Sequence, residues 1–166
     1  MISHCRRFRT RGPSEGFFLR AESFFNVATE IERLDSEGMG ARVIDSYGGK
    51  SLHEQSHGES FLALMMNRFG GNGLYLLDEP EAALSPQRQL AALARIHDLV
   101  NADSQFIIAT HSPILMAYPD AYIYACSADG LDRIDYYDTE HYRVMHDFVV
   151  NPKRMLDLLL APDEPA

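Results

Sequence analysis

Apolar positions along this chain fall into two patterns that take turns. Leu74 to Leu77 and Gln105 to Ala109 (QFIIA) are short apolar runs bounded by turn residues, the pattern of strands buried on both faces in a parallel sheet. Gly16 to Ala21 (GFFLRA) predicts a further short strand. Between these runs apolar residues recur at helical spacing. Phe24, Val27, Ala28, Ile31 and Leu34 follow a capping Ser23, and Gly38 and Gly40 end that helix. Phe61, Leu62, Met65, Met66 and Phe69 form a second stripe, and Leu90, Leu93, Ala94 and His97 share a face of a third helix, capped by Ser85 and opened by Pro86. The expected class is therefore α/β, a parallel sheet flanked by helices.

Later segments read as support. Ala121 to Cys126 and Leu131 to Tyr136 predict strands around a turn whose Gly130 suits positive φ. Tyr142, Met145 and Phe148 mark a helix, Asn151-Pro152 starts a last one through Leu160, and Ala161 to Ala166 should fray.

Two glycine-containing starts carry opposite messages. Gly49-Lys50-Ser51 has the last residues of the phosphate loop G-x-x-x-x-G-K-[ST], but Ile44 stands where its first glycine belongs, and no apolar helical stripe follows. A glycine-rich turn accounts for it better. Ser56-His57-Gly58-Glu59 is the clearest helix start, an S-x-x-E capping box. The box explains Ser56 and Glu59 but not Gly58, since glycine in a first turn costs stability unless something approaches the backbone closely. Exposed amides, a serine hydroxyl and a glycine at a helix start suit phosphate.

Composition narrows the field. The chain has 166 residues, 46% of them hydrophobic, which is ample for one packed domain. Cys5 and Cys126 lack metal-ligand spacing and argue for a reducing compartment. No stretch is apolar enough to span a membrane, so a cytoplasmic location without membrane insertion is expected. A net charge of -9 opposes a broad nucleic-acid surface. Arg6, Arg7, Arg9 and Arg11 are a local exception that leaves nucleic acid possible but not indicated.

The candidate chemistry sits at strand ends. The run Leu74 to Leu77 leads directly into Asp78 and Glu79, and Pro80 stops the ladder. Ligands of open α/β sheets bind beyond the carboxyl ends of the strands, where one carboxylate can hold a hard cation and its neighbour orient water. His111 follows the next buried strand in the same way. Glu22 lies at a strand-to-helix junction.

Three segments in fixed order, SHGES at Ser56 to Ser60, LYLLDEPEAALS at Leu74 to Ser85 and ATHSP at Ala109 to Pro113, together resemble the C-terminal half of an ABC-type ATPase domain. The branch resembled is the one shared with RecF and SMC proteins, often labelled AAA family ATPase. Gln55 to Glu59 is similar to the signature loop L-S-G-G-Q, with Ser56 and Gly58 kept. Leu74 to Glu79 resembles the Walker B strand, Ala82 to Ser85 the D-loop, and His111 the switch histidine. Glu22 falls where the Q-loop glutamine would be.

That resemblance implies a P-loop NTPase-like sheet whose cofactors are ATP and Mg²⁺. Asp78 would take the metal, Glu79 would act as catalytic base, and His111 would contact the γ-phosphate. Ser56, Gly58 and Glu22 would bind nucleotide. It implies residues 23–55 as a helical lobe, 56–126 as the core and 127–166 as a C-terminal hairpin with helices. Family members work as head-to-tail dimers, so a homodimer or an ATPase partner subunit is expected across the signature face. His57, Glu59 and Ser85 depart from the family pattern, and no intact Walker A precedes the signature. The chain is therefore expected to be a truncated form, incomplete at its N-terminus, with weak activity alone. A non-catalytic subunit donating its signature face, and a nucleotide-independent metal hydrolase using Asp78, Glu79 and His111, are the rival readings.

Overall fold

The structure is a computed structural model that describes residues 2–3, 12–21, 33 and 56–161. Six strands form one sheet: β1 (Ile2–Ser3), β2 (Glu15–Arg20), β3 (Gly73–Asp78), β4 (Gln105–Ala109), β5 (Tyr122–Ser127) and β6 (Gly130–Ile134). Their order is β2-β3-β4-β1-β5-β6. β2, β3 and β4 are parallel, β1 runs antiparallel to both β4 and β5, and β5 and β6 form an antiparallel hairpin closed at Gly130, φ 141°. The α/β class with a parallel sheet flanked by helices is thus present.

Register fixes where the chemistry lies. Arg20 is opposite Asp78, and Asp78 is opposite Ala109, so the three parallel strands end side by side. Whatever follows each of them emerges at one edge.

The helices are α1 (His57–Arg68), α2 (Pro86–Asn101), α3 (Pro113–Met116), α4 (Glu140–Val150) and α5 (Pro152–Leu159). Their starts follow local chemistry. Ser85, Ser112, Thr139 and Asn151 each accept a backbone amide with the side chain, and proline opens α2, α3 and α5. Arg95 of α2 closes the other end of α1 by donating to the carbonyls of Met65 and Phe69 at 3.2 and 2.7 Å. No helix among the described residues is long and apolar enough to cross a membrane.

Phe61, Leu64 and Met65 of α1 and Phe69 just after it are buried with Leu19, Leu77, Phe106 and Ile108 of the parallel strands. Each such side chain contributes roughly 1.5–3 kcal/mol through its burial. The α2 face expected from Leu90, Leu93, Ala94 and His97 is not the inner one: Leu90 is 59% exposed, while Gln89, Ala92, Ile96, Leu99 and Val100 are buried. A polar residue leads the inner face because both ends of its amide find partners. Gln89 Nε2 donates to the Leu84 carbonyl at 2.9 Å, and its Oε1 accepts the Ser112 hydroxyl at 2.5 Å.

The opposite end of the sheet is locked by Tyr75. Its ring, fully buried, stacks between Phe69 and Phe106 with centroids 4.2 and 4.9 Å away. Its hydroxyl reaches Glu15 Oε1 at 2.7 Å and the Gly70 carbonyl at 2.8 Å and accepts from the Gly70 amide at 2.7 Å. Burial, followed by the Glu15 carboxylate, pushes this phenol well above its usual range.

Candidate functional site

Asp78 is the last residue of β3, and its neighbour β2 places Arg20 alongside it. Arg20 Nε donates to Asp78 Oδ2 at 2.6 Å. Arg20, Ala21, Asp78 and Glu79 line one cleft at this sheet edge. The carboxylate expected to take a metal therefore already faces a positive charge. Nothing in the sequence pointed to that guanidinium, which read only as a polar position in a strand.

Glu79 follows at φ 48°, ψ 50°, in the left-handed region. Among the described residues the other non-glycine positions with positive φ are Asn72, Asp103 and Asp120, whose short polar side chains tolerate it. Glutamate has no such advantage, and backbone strain of this kind costs roughly 1–3 kcal/mol and gathers at functional sites. The amide of Glu79 still donates to the Ala109 carbonyl at 2.9 Å, which extends the ladder by one bond and aims the side chain across the strand ends.

That side chain meets His111. Glu79 Oε1 is 3.5 Å from His111 Nε2, and both groups are at least half exposed. The other ring nitrogen, Nδ1, lies 2.9 Å from Nε2 of His141 on α4. A carboxylate and two imidazoles thus form one chain, Glu79, His111, His141. Which nitrogen carries each proton follows from the tautomers. His111 spends one nitrogen on each neighbour, the geometry of a relay and not of a chelate, and no cluster among the described residues is arranged to hold a metal through three such side chains.

Glu81, which sequence reasoning passed over as part of a turn, holds this histidine's backbone. Its Oε1 accepts the His111 amide at 2.5 Å and its Oε2 the Thr110 hydroxyl at 2.7 Å. Thr110 Oγ1 in turn accepts the Ser112 amide at 3.0 Å, and Ser112 reaches buried Gln89. The turn after β3 and the turn after β4 are therefore one hydrogen-bonded unit.

Ser56 and Gly58 lie at the start of α1. The Glu59 carboxylate accepts the Ser56 amide at 2.9 Å, as a capping box requires, and also accepts the Ser56 hydroxyl at 2.8 Å. Arg88 of α2 then donates to Ser56 Oγ at 3.1 Å and to Glu59 Oε1 at 2.9 Å. The Ser56 amide first, then its hydroxyl and Arg88, hold the Glu59 carboxyl below its usual value of 4.5. Gly58 has an intramolecular cause that the sequence concealed. A Cβ there would lie 2.6 Å from the Ala83 carbonyl and 2.8 Å from the Arg88 guanidinium. Close approach is real at this glycine, but what approaches is the protein's own turn after β3.

Apart from Arg33, which is helical, the helix expected over Ser23 to Leu34 and the lobe expected over residues 23–55 lie outside the described residues, as do Glu22, Gly49-Lys50-Ser51 and Arg6 to Arg11. Of the remaining candidates, the fold brings Asp78, Glu79 and His111 to one edge and adds Arg20, Glu81 and His141 to them. Ser56 and Gly58 form a separate corner tied to that edge through Arg88 and Ala83.

A Mg²⁺ ion takes only one or two protein carboxylates and fills its other positions with water and phosphate oxygens. A strand-end carboxylate in an open cleft, already drawing a cation, fits that demand, with Asp78 as ligand and Glu79 beside it.

Residues 8–117 match the model of a protein family described as an AAA domain, AbiEii-type toxin, Type IV TA system. No curated protein and no solved structure matches the chain.

Proposed function

This chain belongs to that AAA domain family, and on this premise we propose that it contributes the Walker B side of an ATP-hydrolysing site, with Glu79 as the base that activates water. Binding and hydrolysis of nucleotides is the general chemistry of AAA-family domains. The single observation that carries the assignment is Glu79 itself: a glutamate held in a left-handed backbone conformation, past a parallel strand, with its carboxylate 3.5 Å from His111.

The residues then take roles by position. Glu79 orients the attacking water and accepts its proton. His111, fixed by Glu81 at its amide and by His141 at Nδ1, presents to the terminal phosphate the Nε2 that also faces Glu79. Asp78 is the ligand for Mg²⁺, which when bound neutralises phosphate charge. Ser56, with the α1 amides behind it, faces a second ATPase chain and contacts that chain's nucleotide in the ABC-type, head-to-tail arrangement. The sequence holds no intact G-x-x-x-x-G-K-[ST], so the β- and γ-phosphates lack their usual lysine and amide cradle here. On this reading a partner chain is the site's second half.

Equilibrium ATP titration and phosphate release, each measured across chain concentrations, test the proposal. Expected are weak binding by the chain alone, hydrolysis per chain that rises with concentration or with added partner, and loss of hydrolysis in Glu79→Gln. Tight, concentration-independent Mg-ATP binding sinks the shared site, and unchanged turnover in Glu79→Gln sinks the base.

The ordered corner at Ser56, Glu59 and Arg88 supports a second reading, in which the chain donates only that face to a complete partner. Under it, Glu79→Gln leaves the assembly's turnover intact while Ser56→Ala abolishes it.

A further inference from the structure

We propose that Arg20 is the resident counter-ion of Asp78, against which a divalent cation competes, and that the guanidinium loosened in this way serves the phosphates of the bound nucleotide. The second clause rests on the ATPase reading above; the first rests on geometry alone.

The register of β2 on β3 sets Arg20 directly beside Asp78. The sheet itself therefore keeps the two side chains within reach of each other. Its Nε to Oδ2 distance of 2.6 Å is that of a charge-assisted hydrogen bond. Guanidinium and divalent cation are both positive and draw on the single negative charge of Asp78, so each weakens the other's hold even where they use different oxygens. The pair is also weak enough to exchange, because the Arg20 side chain is 53% exposed and that of Asp78 26%. Arg20 and Asp78 share their cleft with Glu79, so a guanidinium leaving Asp78 remains beside the candidate base. Its planar fork suits phosphate oxygens. Among the described residues that line this cleft, Arg20 is the one that carries a positive charge.

The exchange makes one ligand's entry conditional on the other. Without phosphate the cation competes against Arg20; with phosphate present, the guanidinium gains an anionic acceptor that draws it away from Asp78. Divalent cation and nucleotide then bind together more tightly than either does alone.

Mn²⁺ in place of Mg²⁺ allows a test by paramagnetic broadening on the full chain, first without nucleotide and then with ATP. In Arg20→Gln, Mn²⁺ alone should bind about threefold more tightly, the scale of a half-exposed ion pair, while ATP in saturating Mn²⁺ should bind more weakly. Arg20→Lys, which keeps a positive charge, should return both affinities toward those of the parent chain. The Mn²⁺ gain should vanish in Arg20→Gln combined with Asp78→Asn. Equal Mn²⁺ affinity in the parent and Arg20→Gln chains overturns the counter-ion role even where ATP binds. A gain that survives Asp78→Asn overturns it as well. If instead Mn²⁺ tightens through Asp78 and no chain binds ATP, the counter-ion role stands and the ATPase reading falls.

Discussion

The backbone amide of His111 donates to Glu81 Oε1 at 2.5 Å, so the residue that positions the candidate phosphate sensor belongs to the turn after a different strand. The same carboxylate binds the Thr110 hydroxyl through Oε2. Glu81→Ala removes both acceptors at once. The expected loss is about 1.5–3 kcal/mol, the range for hydrogen bonds to a charged group, read from urea denaturation. A chain with unchanged stability would show that the turn after β4 holds its shape unaided.

His141 should set the tautomer of His111. Replacing it with phenylalanine keeps the ring contact, now 4.9 Å between centroids, but removes the partner of Nδ1. Nitrogen NMR of the His111 ring should then show a changed Nδ1 to Nε2 proton distribution. A spectrum that does not move would make His141 a bystander.

Gly58→Ala should destabilise the ligand-free chain by about 1–3 kcal/mol, the usual cost of overpacking, because the added methyl meets the Ala83 carbonyl and Arg88. Measurement without nucleotide is the point of the experiment. If the loss arises only when ATP is bound, the glycine serves a ligand and not the fold.

The corner at Ser56 predicts a pH response of definite sign. The Glu59 carboxyl is held below its usual value of 4.5, so its contribution to stability is present above that value and is lost as pH falls through the folded one. The parent chain should therefore exceed Glu59→Gln in stability near neutrality, and the gap should close at lower pH. Chemical denaturation at several pH values reads it. A gap that widens on acidification has the wrong sign.

Tyr75→Phe should cost about 1–3 kcal/mol, because the Gly70 carbonyl and Glu15 lose a buried partner. With the phenol held above its usual range, the parent chain also carries stability below pH 10 that fades as pH rises further. Tyr75→Phe should lack that alkaline limb in a denaturation series.

Much of the architecture was legible because its causes are local. Ser85-Pro86, Ser112-Pro113 and Asn151-Pro152 each name a helix start, and Gly130 names a hairpin, through backbone chemistry that needs no distant partner. What stayed hidden depends on contacts far along the chain. Gln89 lies inside α2 because Leu84 and Ser112 satisfy its amide, so apolar spacing alone chose the outer face. Arg20 sits fifty-eight residues from the carboxylate it pairs with. His141 reaches the site because its helix follows a hairpin that joins the sheet beyond β1, an order no local pattern states. Asp78, Glu79 and His111 were legible as candidates because strand ends are, whereas their counter-ion, clasp and second imidazole were not.

The left-handed backbone at Glu79 also decides what a search for stability alone would do to this chain. Asparagine, which fills position 72 in the same conformation, relieves a strain worth roughly 1–3 kcal/mol. Directed evolution toward heat resistance would therefore drift to asparagine or glycine at position 79. Each robust variant recovered that way would have discarded the candidate base.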